Sequence, residues 1–247
     1  MAPRAATLLE MSDSVAGYTT YIDLIHDAIG DKKIISTGMM KEVDRVEMAI
    51  AEALKGTTCS LVSGGDSGIY AMAGLVFEMC EKKGLTLVRH GEACPENSDG
   101  TCLEIEVVPG IPALAAGASL VGAPLTHDFA VISLSDLLTP WEKIEKRISA
   151  AASADFVIAI YNPKSKKRDW QLARARDLIM EHRKGDTPVG VVTSAMREQQ
   201  KISVTTLEKM DESHVDMQTI LLVGNEASVP YLDFMYTPRG YSKKYEI

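Results

Sequence analysis

Apolar residues recur along this chain with two periods. Short runs rich in β-branched residues, at 33–36, 58–63, 129–134, 156–160, 189–193 and 219–223, read as strands. Between them lie longer stretches with helical spacing. Over 41–54, Val43, Val46, Ile50, Ala53 and Leu54 fall on one stripe, with Glu42, Asp44, Arg45 and Glu52 opposite. Pro3 is suited to open a helix whose Ala5, Leu8 and Leu9 share a face. Further helices are predicted over 20–28, from just after Tyr70 to about 83, and over 113–121, 140–152 and 168–183. A short buried strand at Val15 and Ala16, a strand over 104–108 and an extended run over 202–205 complete the pattern. This alternation predicts an α/β protein with mostly parallel sheets and some antiparallel pairing in the second half.

Two breaks interrupt the pattern. Residues 89–102 hold Pro, Asn, Asp and Gly without periodicity and read as a surface excursion. Pro109-Gly110-Ile111-Pro112 follows a strand and precedes a helix, which makes it the natural linker. The expected organisation is therefore two α/β domains, 1–111 and 112–247.

Composition narrows the class. With 247 residues, 46% of them hydrophobic, the chain can bury one large core or two small ones. No apolar run reaches the roughly 20 residues of a membrane helix, and Arg4 and Glu10 interrupt the opening segment, so a cytoplasmic protein is expected. Four irregularly spaced cysteines, Cys59, Cys80, Cys94 and Cys102, predict reduced thiols rather than a disulfide framework. A net charge of −8 excludes a general nucleic-acid binder. Lys164, Lys166, Lys167 and Arg168 nevertheless form one basic cluster, and Arg239, Lys243 and Lys244 another; each is either a local anion site or solvated surface.

The strongest local signal is Gly64-Gly65-Asp66, placed after a strand, where open α/β sheets bind ligands. Paired glycines permit positive φ and close backbone approach, and the carboxylate can accept from an ammonium or a ribose hydroxyl. A tight turn with a capping Asp has the same residues. The segments Ser63 to Tyr70, VVPGIPA at 107–113, LTHDF at 125–129, ISLSDLLTPW at 132–141, Tyr161-Asn162-Pro163, Val223-Gly224-Asn225 and TPRGY at 237–241 decide between them. In this order they resemble the tetrapyrrole (corrin/porphyrin) methylases, nearly the whole chain being covered. ISLSDLLTPW and TPRGY make it most similar to the precorrin-3B C(17)-methyltransferases and their cobalt-substrate counterparts.

The resemblance implies a homodimer of two-domain subunits that binds S-adenosyl-L-methionine in the cleft between halves and methylates a tetrapyrrole at carbon 17, contracting the ring, in cobalamin biosynthesis. Donor contacts would come from Gly64, Gly65, Asp66, Ile69, Pro112, Ala113, Tyr161 and Ala195. Substrate carboxylates would meet Lys166, Lys167 and Arg239. No resident metal, nucleic acid or membrane is implied, and any cobalt would travel with the substrate. The sulfonium methyl is already electrophilic, so alignment replaces a protein nucleophile. Ring contraction needs a proton donor or acceptor, for which His127, Asp128, Asp136 and Tyr70 are candidates; each has a structural alternative as a turn, cap or packing residue. Cys94 and Cys102, with His90 and Glu92 near, match no common zinc spacing. Two rival readings are another methylase of this fold, acting on uroporphyrinogen or precorrin-4, and a non-catalytic nucleotide-binding module; the latter leaves PGIP and the C-terminal motifs without a role. Family members begin with a strand ending in Gly-x-Gly-Pro-Gly, which is absent from this sequence. A start about 15 residues late, or weak donor binding, is expected, with unpaired backbone groups inside the first sheet.

Overall fold

The computed structural model describes residues 1–96 and 101–246, the Lys243 side chain excepted. Part of the predicted excursion at 89–102, and the Lys243 side chain of the second basic cluster, therefore lie outside the described residues. The chain divides into two compact units, Met1–Pro112 and Ala113–Ile247. The first contains α1 (Pro3–Met11), β1 (Ser14–Tyr18), α2 (Thr19–Asp23), α3 (His26–Ile29), β2 (Lys33–Thr37), α4 (Glu42–Ala53), β3 (Cys59–Val62), α5 (Ala73–Lys82), β4 (Thr86–Arg89) and β5 (Cys102–Ile105). The second contains α6 (Ala113–Val121), β6 (Gly122–Ala123), β7 (Phe129–Ser133), α7 (Trp141–Ser153), β8 (Val157–Tyr161), α8 (Gln171–Met180), β9 (Pro188–Thr193), β10 (Lys201–Thr206), β11 (Thr219–Val223), β12 (Val229–Tyr231) and β13 (Phe234–Tyr236). The α/β class is as expected.

In the first unit, β1 lies between β2 and β3 in a parallel three-stranded sheet, and β4 pairs with β5 in a separate parallel pair. β3 and β5 each have one strand neighbour. β1 is buried over Ser14–Gly17, the continuous burial expected of an inner parallel strand. The helix expected over 20–28 is two short pieces, since β-branched Thr19, Thr20, Ile22 and Ile25 disfavour one continuous helix. Ile22 and Ile29 still join Leu9 and Val15 in one apolar cluster.

α4 sits differently from its predicted stripe. Val46, Ala49 and Ile50 are buried, but Val43 is exposed and Arg45 and Glu52 turn inward. Both charges find partners there. Arg45 donates to Thr37 Oγ1 (2.8 Å) and to the Gly38 carbonyl (3.0 Å), and lies over the Tyr18 ring. Glu52 accepts from Lys33 and Lys55, each at 2.8 Å. Satisfied polar groups can occupy a helix face that polarity alone assigns to solvent.

The expectation of four reduced thiols is corrected. Cys94 and Cys102 form a disulfide with Cα atoms 6.2 Å apart, while Cys59 and Cys80 are free. Sequence spacing is silent on separation across a loop, and this one brings the two within bridging range. His90 bonds Glu104 and Glu92 accepts from the Arg89 N–H. Among the described residues no group of three or more His, Cys, Asp or Glu is placed to hold a metal ion. Nor is any described helix long and apolar enough to cross a membrane.

The second unit is built on a five-stranded sheet of order β10-β9-β11-β8-β7. β7 and β8 run parallel, β11 runs antiparallel to both β8 and β9, and β10 returns antiparallel to β9. The C-terminal ends of β7, β8 and β9 therefore share one edge of the sheet. Alternation along β8 sends Ile158 and Ile160 to a core under α7 and α8, and Ala159 and Tyr161 to a second core under α6. Four strands escaped the hydrophobic pattern: β4, and β12, β13 and β6, which form a small separate sheet and are too short to show a period. The strand expected over 104–108 lies at 102–105.

α6 approaches the sheet closely at Gly117. A Cβ there would stand 2.7 Å from Ile220 Cγ2, whose side chain is buried and β-branched and so cannot swing aside. Gly117→Ala is expected to lower unfolding free energy by about 1 to 3 kcal/mol through overpacking, despite alanine's better helix propensity. A urea midpoint equal to or above that of the parent would remove close packing as the reason for this glycine.

Candidate functional site

In the first unit the chain leaves β3 into the Gly-Gly-Asp loop. Gly64 lies under Tyr21, whose ring would be 2.7 Å from an added Cβ. Gly65 has φ +80°, a conformation that L side chains rarely adopt. Asp66 uses both oxygens on backbone: Oδ1 accepts from Gly68 N (2.8 Å) and Oδ2 from Gly110 N (2.9 Å). These N–H groups, Gly110 first, hold the carboxyl below its usual range. Ser67 Oγ donates to the Val108 carbonyl (3.1 Å), and a Cβ on Gly110 would stand 2.0 Å from the Gly65 carbonyl oxygen. The Pro-Gly-Ile-Pro segment and the Gly-Gly-Asp loop are thus one packed structure. Asp66 serves the turn, and its oxygens keep further lone pairs. The Ile69 N–H reaches the Asp66 carbonyl at 3.4 Å, and Tyr70 follows at φ +50°, half exposed. Pro112 ends this unit.

In the second unit, Tyr161 closes β8 and its hydroxyl accepts from Leu114 N (2.8 Å) in the first turn of α6. Ala195 follows β9 between Ser194 and Met196, both at positive φ. Ala113, Tyr161 and Ala195 all pack against the cluster containing Leu114, Val192 and Ile220. Tyr161 and Ala195 thus stand where the parallel β8 and β9 end, and Ala113 adjoins Leu114, whose N–H bonds the Tyr161 hydroxyl. Asp136 belongs to this edge, accepting from Gln171 Nε2 (2.8 Å) in the segment after β7.

His127 and Asp128 precede β7 and so occupy the opposite edge, about 17 Å away along a five-residue strand. Both are exposed, and Asp128 N donates to His127 Nδ1 (3.0 Å). The LTHDF, VGN and TPRGY segments are joined here by hydrogen bonds. Thr126 Oγ1 donates to the Thr237 carbonyl, the Thr237 and Ser228 hydroxyls meet at 2.7 Å, and Ser228 Oγ accepts from Asn225 N (2.9 Å). Arg239 lies two residues beyond Thr237.

The basic run after Tyr161 does not form one patch. Ser165 and Arg168 exchange backbone hydrogen bonds, leaving Lys166 and Lys167 exposed at the tip of a tight turn. Lys164 donates to the Glu212 carbonyl (3.1 Å). Arg168 is buried, 8% exposed, and burial lowers its guanidinium from the ordinary arginine range while Asp136 opposes that shift. Nothing in the charge pattern of 164–168 distinguishes this arginine from its neighbours.

Residues 1–211 match the Tetrapyrrole (Corrin/Porphyrin) Methylases. The chain is 46% identical to the cobalt-factor III methyltransferase of Priestia megaterium over 99% of its length, but spans only 43% of that protein. It is also 46% identical to the probable cobalt-factor III C(17)-methyltransferase of Salmonella typhimurium, covering 98% of this chain and 94% of the relative. The crystal structure of the methyltransferase CobJ superposes with a TM-score of 0.85 at 34% identity, over 96% of this chain and 93% of the other.

The Asp66 turn carries a pH signature. Its carboxyl is depressed in the folded chain, so the stabilisation is present above the unfolded value near 3.9 and is lost as pH falls through the folded value. The stability difference between the parent and Asp66→Asn is therefore expected to shrink on acidification below about pH 4. Urea unfolding of both proteins from pH 3 to 7 measures it; a difference independent of pH would mean that the charge contributes nothing to the turn.

Proposed function

We propose, from the premise that this chain belongs to the tetrapyrrole (corrin/porphyrin) methylases, that it transfers a methyl group from S-adenosylmethionine to carbon 17 of a corrin precursor, with contraction of the macrocycle, in cobalamin biosynthesis. The observation that carries this reading is Tyr161 at the end of β8, its hydroxyl bonded to Leu114 N beside Ala113, with Ala195 just beyond the parallel β9. The proposal includes a homodimer and a cytoplasmic location.

The residues present suit the donor. Gly65, exposed and at positive φ, leaves backbone open to close approach, and Asp66 is a partly exposed, ionised carboxylate beside it. That carboxylate can accept from an ammonium or ribose hydroxyl without giving up its two N–H bonds. In the second unit Ala113, Ala195 and the Tyr161 ring offer the half-buried apolar surface that an adenine requires, and in the first unit Ile69 and Pro112 are partly exposed apolar residues beside the Gly-Gly-Asp loop and its linker. When bound, the donor supplies an electrophilic methyl group on sulfur. The attacking atom belongs to the substrate, so the chain's own work is to align the two and exclude water.

For the proton transfers of ring contraction, Asp136 is the first residue to test, because it shares the strand edge of Tyr161; Tyr70, in the first unit, is the second. His127 and Asp128 precede β7 at the far edge and are less suited to the same centre. Lys166 and Lys167 stand on the turn that follows Tyr161, where they can meet substrate carboxylates by charge-assisted hydrogen bonds. Arg239 belongs to the other edge and would act there.

Gly65→Val is expected to weaken S-adenosylmethionine binding at least about tenfold, since a branched side chain is strained at this φ and fills the approach to the backbone. Calorimetry on the folded variant decides; unchanged affinity takes Gly65 out of the site. Replacing Lys166 and Lys167 together by alanine is expected to raise the Michaelis constant for a corrin precursor about three- to tenfold and to flatten its salt dependence, with donor affinity unaltered. Identical substrate kinetics at low and high salt would reduce the two lysines to solvated surface.

A further inference from the structure

Arg168 ends a basic run whose Lys166 and Lys167 face solvent, yet its guanidinium is buried and, among the described residues, hydrogen-bonded to no carboxylate. Nη1 donates to the carbonyls of Leu134 (3.3 Å) and Asn162, and Nη2 to Met217 Sδ (3.4 Å). Leu134 is the first residue after β7 and Asn162 the first after β8. One side chain therefore ties together the two loops that leave adjacent parallel strands at the candidate edge. Other bonds stitch the same seam: Leu134 N donates to the Tyr161 carbonyl (3.0 Å), and Asn162 Nδ2 to Ser133 Oγ (2.9 Å). Asn162 is held at φ +50°, a conformation that persists only where surroundings impose it.

Burying a guanidinium with no directly bonded carboxylate is costly, the charge of Asp136 opposing that cost, and an apolar residue would avoid it. What arginine alone adds is a planar fork of donors on a long stem, able to hold acceptors in two loops at once. We infer that Arg168 is a positioning residue of the methyl-transfer site, clamping the loops after β7 and β8 so that Tyr161 is held in the orientation that meets the donor. This rests on the reading of Tyr161 as a donor contact. Met217, just before β11, contributes a thioether, and Asp136 favours the guanidinium through its charge without an observed hydrogen bond, so the bonds that form the clamp run to backbone carbonyls.

The test is a double-mutant cycle on the full chain with Arg168→Lys, Tyr161→Ala and the double variant, reading S-adenosylmethionine affinity by calorimetry beside thermal melting. Arg168→Lys keeps the charge but not the fork, and is expected to melt cooperatively and bind the donor about tenfold more weakly. Tyr161→Ala should weaken binding as well, and adding Arg168→Lys to it should cost nothing further. Parent-like affinity in Arg168→Lys, or an equal loss in both backgrounds, overturns the clamp while leaving Tyr161 in the site. Parent-like affinity in Tyr161→Ala overturns the donor reading of Tyr161 itself, and the clamp with it. If Arg168→Lys does not fold, Arg168→Gln replaces it with the same expected pattern; failure of both to melt cooperatively would assign Arg168 to stability alone and overturn the proposal.

Discussion

A sheet covered on both faces has only its ends to offer to solvent and ligands. In the second unit α7 and α8 bury one face of the five-stranded sheet and α6 the other, and β8 and β11 are apolar along nearly their whole length as a result. Polar residues are thereby pushed to the two edges where strands begin and end. One edge gathers Tyr161, Ala195, Asp136 and the Arg168 turn; the other gathers Asn225, Ser228, Thr237 and His127. The helix that covers a face also closes an edge, since α6 begins against the Tyr161 hydroxyl.

Backbone conformation at these edges follows from the same constraint. A strand that must stop and turn beneath a helix has little room, and Asn162, Ser194 and Met196 all take positive φ where β8 and β9 end. Tyr70 does so in the loop after β3. Such residues cost free energy and are kept in place by the packing around them. In the first unit the cost is avoided at Gly65 by the absence of a side chain, and Asp66 then ties the loop to Gly110.

Charge burial has one recurring form in this molecule. Arg45, Arg168 and Arg183 are each nearly inaccessible and each donates to backbone carbonyls at the ends of neighbouring elements. For Arg183 an ion pair with Asp155 at 3.1 Å adds to this, while among the described residues Arg168 hydrogen-bonds only carbonyls and a thioether. Carbonyls at strand and helix ends lack the partners that the interior of an element provides, so a buried arginine satisfies them and is itself satisfied. These residues set loop position rather than surface charge.

Hydrophobic period was enough to locate the helices of the second unit, the strands β7, β8, β9 and β11, and the Pro-Gly-Ile-Pro break, because each of these depends on residues within one turn or a few strand positions. The motif order was likewise legible, and with it the family. The stripe on α4 was misplaced because the partners that let Arg45 and Glu52 turn inward, Thr37, Gly38, Lys33 and Lys55, lie on other elements or beyond the helix. The Cys94–Cys102 bond, the inward turn of Arg168 and the short strands β6, β12 and β13 were hidden for the same reason. Above all, sequence placed His127, Asp136 and Tyr161 within a few dozen residues of one another, but strand direction decided which of them share an edge. Composition and spacing act locally along the chain; edge, register and the partners of a buried charge come from pairings between distant segments, and only the folded chain makes those.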